Sequence, residues 1–177
     1  MQYTHLYRSP LGTITLAADS EGLTGLWFEG QKYFAATLDA QHEETMLPIF
    51  EQTRRWLDNY FGGNDPGPTP PLHLQGSPFR LAVWEILRQI PFGKTITYGE
   101  IAREIARRQG SKTVPAQAVG GAVGHNPVSI IVPCHRVVGS NGSLTGYAGG
   151  IERKVRLLAL EKADMTGLFA PQKGTAL

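Results

Sequence analysis

A chain of 177 residues, 41% hydrophobic and 18% charged, has the make-up of an ordinary globular protein with room for one large domain or two small ones. No apolar run reaches the roughly 20 residues of a bilayer span, and the single cysteine, Cys134, excludes an intramolecular disulfide and argues against a cysteine-based structural zinc site. The net charge of +2 conceals an asymmetry: residues 1–75 carry 4 Lys/Arg against 9 Asp/Glu, whereas residues 76–177 carry 13 against 6.

Positive charge gathered in the C-terminal part suits a polyanionic partner there, with the acidic N-terminal part facing away. The polar start, Met1-Gln2-Tyr3-Thr4-His5, has no signal-peptide apolar stretch, so the default compartment is the cytoplasm and no membrane partner is expected.

In chain order, alternating runs near 3–8, 13–18 and 23–28 are separated by two turn-rich segments, Ser9-Pro10-Leu11-Gly12 and Asp19-Ser20-Glu21-Gly22. They read as a β-meander, an antiparallel sheet. A helix is predicted over 47–61, with Pro48 in its first turn and Ile49, Thr53, Trp56, Leu57 and Tyr60 on one face. Residues 62–76 (GGNDPGPTPPLHLQG) break both periodicities and read as a linker, which places a boundary between a domain of residues 1–75 and one of 76–177.

Ser77-Pro78 opens the next helix as N-cap and first-turn proline, with an apolar stripe of Phe79, Val83, Leu87 and Ile90. Thr97-x-x-Glu100 is a capping box for a helix carrying Ile101, Ala102, Ile105 and Ala106. A polar turn over 108–112 leads to a short helix near 115–124. Two helices joined by a short turn in a basic half make a helix-turn-helix candidate. The last of these helices is rich in Ala and Gly (Ala116, Ala118, Gly120, Gly121, Ala122, Gly124), and each glycine costs about 1 kcal/mol of helix stability relative to alanine. Such slimness implies a close approach by another helix or by a nucleic-acid groove, and a narrow minor groove fits it better than a major one. The fold class is therefore α+β: a small N-terminal α/β domain followed by a mostly helical C-terminal domain.

After Asn126-Pro127 a strand-like run, Val128 to Val132, ends at Pro133-Cys134-His135-Arg136-Val137. Only a thiolate attacks, and a free thiol has a pKa near 8.5, so a nucleophilic cysteine needs help that a histidine can supply directly or through a water. A carboxylate can in turn orient the histidine. A lone cysteine is more often a small buried hydrophobe, and adjacency in sequence does not place two side chains side by side.

The block Pro133-Cys134-His135-Arg136-Val137, preceded by Asn126-Pro127 and followed by Gly146-Tyr147-Ala148-Gly149-Gly150, resembles the active-site block of the O6-alkylguanine-DNA alkyltransferases. The resemblance runs from about Ser77 to Glu161. It implies a single-turnover repair enzyme, a methylated-DNA–protein-cysteine methyltransferase in which Cys134 takes the alkyl group from O6-alkylguanine and is consumed. O4-alkylthymine is an open second substrate. It further implies that His135 acts through a water as general base, that Glu161 holds His135, and that Asn126 braces the turn carrying the cysteine. Tyr98 would line the base pocket and hydrogen-bond the flipped guanine. Arg136, Val137, Tyr147, Ala148 and Gly149 would surround the base, and Gln117, Ala118 and Gly121 would meet double-stranded DNA from the minor-groove side.

Where the family commonly has an arginine that fills the gap left by the flipped nucleotide, this chain has Gln117, which bears on DNA affinity and flipping more than on transfer. The chain also lacks the Cys/His set with which some family members bind zinc, so neither metal nor cofactor is expected, and the protein is expected to be a monomer. Three rivals stand beside this reading. A damage-binding module without chemistry would carry another residue at the cysteine position; a cysteine hydrolase would turn over without DNA; a plain transcription regulator would leave the Pro-Cys-His-Arg-Val block unexplained. Residues 163–177 read as a flexible tail.

Overall fold

Three strands form, joined by the two turn-rich segments: β1 (Gln2–Ser9), in which buried and more exposed residues alternate over the first half, β2 (Gly12–Ala18), and β3 (Leu23–Phe28), which is buried throughout. The structure, a computed structural model that describes residues 1–171, pairs β1 with β2 and β2 with β3 antiparallel, so the meander forms. A short fourth strand, β4 (His42–Glu44), adds to the sheet in the order β3-β2-β1-β4 and runs parallel to β1. The sequence reading missed it: all three residues are exposed and polar, so no apolar alternation marks them.

By their contacts the described residues fall into two units, Met1–Gln75 with Pro127–Ile131, and Gly76–Asn126 with the residues from Val132 onward. In the first unit, α1 (Pro48–Phe61) lies on the sheet through Phe50, Thr53, Trp56, Leu57 and Tyr60. Phe50 takes the buried place expected for Ile49, which is only half-buried. Its core adds Ile14, Leu16, Leu26 and Phe28, all fully buried. The Tyr7 hydroxyl donates to Asp58 at 2.7 Å and ties β1 to α1. The Gly/Pro-rich segment is anchored at its end: Leu23 N–H donates to Pro71 (2.9 Å) and His73 N–H to Leu23 (2.8 Å).

In the second unit Ser77 caps α2 (Pro78–Arg88), its hydroxyl accepting from the Arg80 N–H. The buried face is Val83, Trp84, Ile86 and Leu87, with Ile90 just beyond the helix and Phe79 only half-buried. Thr97 caps α3 (Tyr98–Gln109), accepting from the Glu100 N–H at 3.0 Å. Gly110 ends α3 in the left-handed region at φ 66°, and the Ser111 N–H returns to the Ala106 carbonyl. A side chain in that conformation would be strained, so glycine is the natural terminator. The chain turns through 111–115 into α4 (Ala116–Gly124). Helices α2, α3 and α4 pack on one another, and the Trp84 indole N–H donates to the Ala122 carbonyl at 2.8 Å.

The expected strand over 128–132 does not form. Ile130 sits at φ 69° and Ile131 N–H bonds back to Ser129, so the run is a series of turns, with only Val128 bridged to Leu26. Beyond it, Ile96–Thr97 (β5) and Val137–Val138 (β6) make a two-residue parallel pair, and α5 (Ile151–Leu160) closes the unit. Residues 163–169 are not a free tail. Ala163, Met165 and Leu168 pack with Val138, Leu144, Ile151, Val155 and Leu158, while the Leu144 N–H donates to the Phe169 carbonyl (2.9 Å) and the Phe169 N–H to the Gly142 carbonyl (3.0 Å). The rest of the expected tail, 172–177, lies outside the described residues. No helix among the described residues is long and apolar enough to cross a membrane.

Candidate active site

Asn126, two residues past the end of α4, is buried and donates from its side-chain amide to the Val132 carbonyl at 2.7 Å. That bond pinches the chain across residues 127–131 and gives the next residues a fixed starting point. Pro133 then leads into a single 3-10 turn, Cys134–Arg136. With three residues per turn, successive side chains leave about 120° apart, so Cys134, His135 and Arg136 point in three directions. All three are buried, Cys134 with 3% of its surface exposed and His135 with none.

Glu161, just past α5, collects two of those three side chains. Its carboxylate lies 2.6 Å from His135 Nε2 and accepts from Arg136 Nε at 2.8 Å, from Arg136 Nη2 at 3.1 Å and from the Gly93 N–H at 2.9 Å. Arg136 Nη1 donates to the Ile90 carbonyl at 2.7 Å, and its guanidinium lies over the Phe92 ring. Arg136 was expected beside the base and DNA. The structure turns it inward because a buried carboxylate needs a cation and donors, and a guanidinium fork supplies both.

Lys154 is fully buried, and its ammonium donates to the carbonyls of Val137 and Thr145. The sequence reading did not single it out. One signal was available: Lys154 stands three residues after Ile151 and four before Leu158, which puts it on the apolar stripe of α5.

The electrostatics follow from burial and neighbours. Burial pushes the Cys134 thiol up, against the Asn126 amide, the Lys154 charge and the backbone N–H groups of Cys134 and His135, which favour the thiolate; the net direction is up. Burial lowers His135, and Arg136 and Lys154 add to that, while Glu161 pulls the other way; the net direction is down. Burial alone would raise Glu161, yet the hydrogen bonds and charges of His135 and Arg136 hold it well below the usual carboxylate range. Burial brings Lys154 down to about 8, with Cys134 opposing. Burial thus disfavours both the thiolate of Cys134 and the imidazolium of His135, while Glu161 is held as the carboxylate.

Tyr98, at the start of α3, is mostly buried, and its hydroxyl donates to the Thr145 carbonyl at 3.3 Å. Burial, then the Cys134 charge, raise its pKa, so it remains a proton-bearing donor. The Tyr147 ring meets His135 edge-on at 6.3 Å between centroids. A Cβ on Gly149 would lie 2.5 Å from the Tyr147 ring, so the glycine makes room for that ring. Ala148 is half-buried and Val137 fully buried. Cys134, His135, Glu161, Asn126, Tyr98, Val137, Tyr147, Ala148 and Gly149 all belong to the second unit. On α4, Gln117, Ala118 and Gly121 are exposed, and a Cβ at Gly121 would meet nothing within 4 Å.

Residues 2–72 match the 6-O-methylguanine DNA methyltransferase ribonuclease-like domain, and residues 78–163 match the 6-O-methylguanine DNA methyltransferase DNA-binding domain. The chain is 42% identical to a methylated-DNA–protein-cysteine methyltransferase of Haemophilus influenzae over 163 residues, 92% of this chain and 87% of that protein. It is equally identical, 42% over 161 residues, to one of Methanosarcina acetivorans, covering 90% and 97%. Among solved structures, the Mycobacterium tuberculosis protein OGT in complex with DNA superposes with a TM-score of 0.77 at 42% identity, covering 90% of this chain and 92% of that one.

Proposed function

Because the chain belongs to the 6-O-methylguanine DNA methyltransferase family, we propose that it repairs DNA by moving the alkyl group of O6-alkylguanine onto Cys134, once per molecule. The observation that carries this is the buried Cys134 on the same 3-10 turn as His135, whose ring is held by the buried Glu161 at 2.6 Å.

The thiol proton passes to His135, directly or through a water, by way of the imidazole nitrogen that does not face Glu161. Glu161 stabilises the imidazolium that forms. The sulfur attacks the alkyl carbon in line, an S–C bond forms, the O6–C bond breaks, and the guanine takes up a proton as it leaves. Tyr98, still protonated, is the donor suited to that step. The thioether has no good leaving group and the chain has no second cysteine to resolve it, so each molecule acts once.

The base must leave the stack to reach a sulfur this deeply buried. The turn between α3 and α4 reads as a helix-turn-helix, with the bare, exposed face of Gln117, Ala118 and Gly121 entering the minor groove of double-stranded DNA. The basic second half supplies the electrostatic attraction. Val137, Tyr147, Ala148 and Gly149 surround the extruded base. The division near residue 75 separates a supporting domain from the one that does the chemistry, and the protein acts as a cytoplasmic monomer. Loss of O6-methylguanine from an oligonucleotide, titrated against protein, tests the reading: removal stops at one lesion per chain, and catalytic turnover refutes it.

A further inference from the structure

Glu161 is shared by two residues adjacent in sequence. A carboxylate offers about four acceptor directions, and here four donors occupy them: His135, the Gly93 N–H and two arms of Arg136. The Arg136 fork is itself fixed by the Ile90 carbonyl and the Phe92 ring. An arginine built in this firmly sets the charge of the pair as well as its geometry.

A buried carboxylate 2.6 Å from an imidazole would, by itself, favour the imidazolium. An imidazolium cannot take a proton from a thiol. The charged and titratable groups around His135 are Glu161 and Lys154 from the α5 side, Cys134 and Arg136 from its own turn, and the Tyr147 ring. Only Glu161 is an anion at rest, and Arg136 is the cation bound directly to it.

We propose that Arg136 is a positioning residue of the alkyl transfer, which balances the charge of Glu161 so that His135 rests as a neutral, oriented proton acceptor. The proposal rests on the reading of His135 as the base. The Arg136 guanidinium is taken up by Glu161, the Ile90 carbonyl and the Phe92 ring, so it acts through Glu161. The direction of the His135 shift, downward with Arg136 contributing, agrees with the geometry.

The test is the single-turnover rate of transfer from an O6-methylguanine duplex, measured across pH. In Arg136→Gln the acid limb moves to higher pH by about one unit or more, the lower end of what a close opposite charge does to a pKa. In Arg136→Lys, which keeps the charge and loses the fork, the limb stays near that of the wild type while the plateau falls. A uniform loss of rate in Arg136→Gln with an unmoved limb overturns the proposal, and so does a Lys variant that shifts as far as the Gln variant. Should Arg136→Gln fail to fold, the His135 ring is followed by NMR in the wild type and in Arg136→Lys: a ring neutral at pH 7 in both agrees with the proposal, and an imidazolium in either overturns it. A His135→Gln variant separates the two readings: if it keeps the wild-type acid limb, the base assignment has failed, whatever Arg136 does.

Discussion

His135 Nε2 and Glu161 Oε2 lie 2.6 Å apart, with both side chains fully buried, although 26 positions separate them in the chain. A buried contact of this kind fixes the ring's orientation and commits Nε2 to the carboxylate. Glu161→Gln keeps the shape and removes the charge that stabilises the imidazolium. The expected result is alkyl transfer slowed by about tenfold or more, up to the roughly 10²–10⁴ of full acid–base assistance, with DNA affinity changed far less. Rapid-quench transfer assays and a DNA-binding titration on the same preparation check it. A loss of folding stability that accounts for the whole loss of activity makes Glu161 structural instead.

Lys154 gives a second prediction, with a definite sign. Its ammonium favours the Cys134 thiolate, so Lys154→Met raises the thiol further and moves the alkaline rise of the reaction with a small iodoacetamide probe to higher pH. The same residue contributes to the pH dependence of folding. Burial brings its pKa from 10.5 to about 8, so the unfolded chain binds more protons between those values, and stability from this group rises as pH increases from about 8 to 10.5. Below that window the charged form is buried at a constant cost. Denaturant titrations of wild type and Lys154→Met across pH 7.5 to 10.5 check this: the difference between them changes in that window only if Lys154 titrates there.

Much of this could be read from the residues, and the exceptions have physical causes. The meander, α1 and the capped helices α2 and α3 announce themselves through period and caps. β4 was invisible because it is exposed throughout and owes its existence to pairing with β1. The apolar run at 128–132 looked like a strand, yet apolar composition cannot reveal that Ile130 adopts a positive φ. The segment after Glu161 looked like a tail because Met165 and Leu168 are spaced by polar residues, while the packing that holds them comes from α5 and β6. In the site, the pairing of His135 with Glu161 was expected from family resemblance. The inward turn of Arg136 and the burial of Lys154 are tertiary facts: a cation next to a catalytic block reads first as a phosphate ligand, and only the fold supplies the buried acceptors.

Gln117 carries the third prediction. It stands exposed on α4 beside Ala118 and Gly121, where an added side chain has open space. Gln117→Arg brings a charge to the DNA face. Each added phosphate contact steepens the salt slope of log K by about 0.9 for duplex DNA, so the variant binds more tightly, with the slope steeper by up to about one unit, and repairs duplex substrate faster. Free O6-benzylguanine needs no flipping and reacts at an unchanged rate. A variant that also reacts faster with the free base shows that residue 117 acts on the chemistry.

The most direct test of the account is the mass of the protein after reaction. Wild-type protein mixed with excess O6-methylguanine duplex is resolved by intact mass spectrometry and then digested. Every reacted molecule gains one methyl group, found on the peptide that contains Cys134, the lone cysteine of the chain, and Cys134→Ala protein gains none. Methyl on another residue, more than one lesion repaired per chain, or unmodified protein with repaired DNA contradicts it.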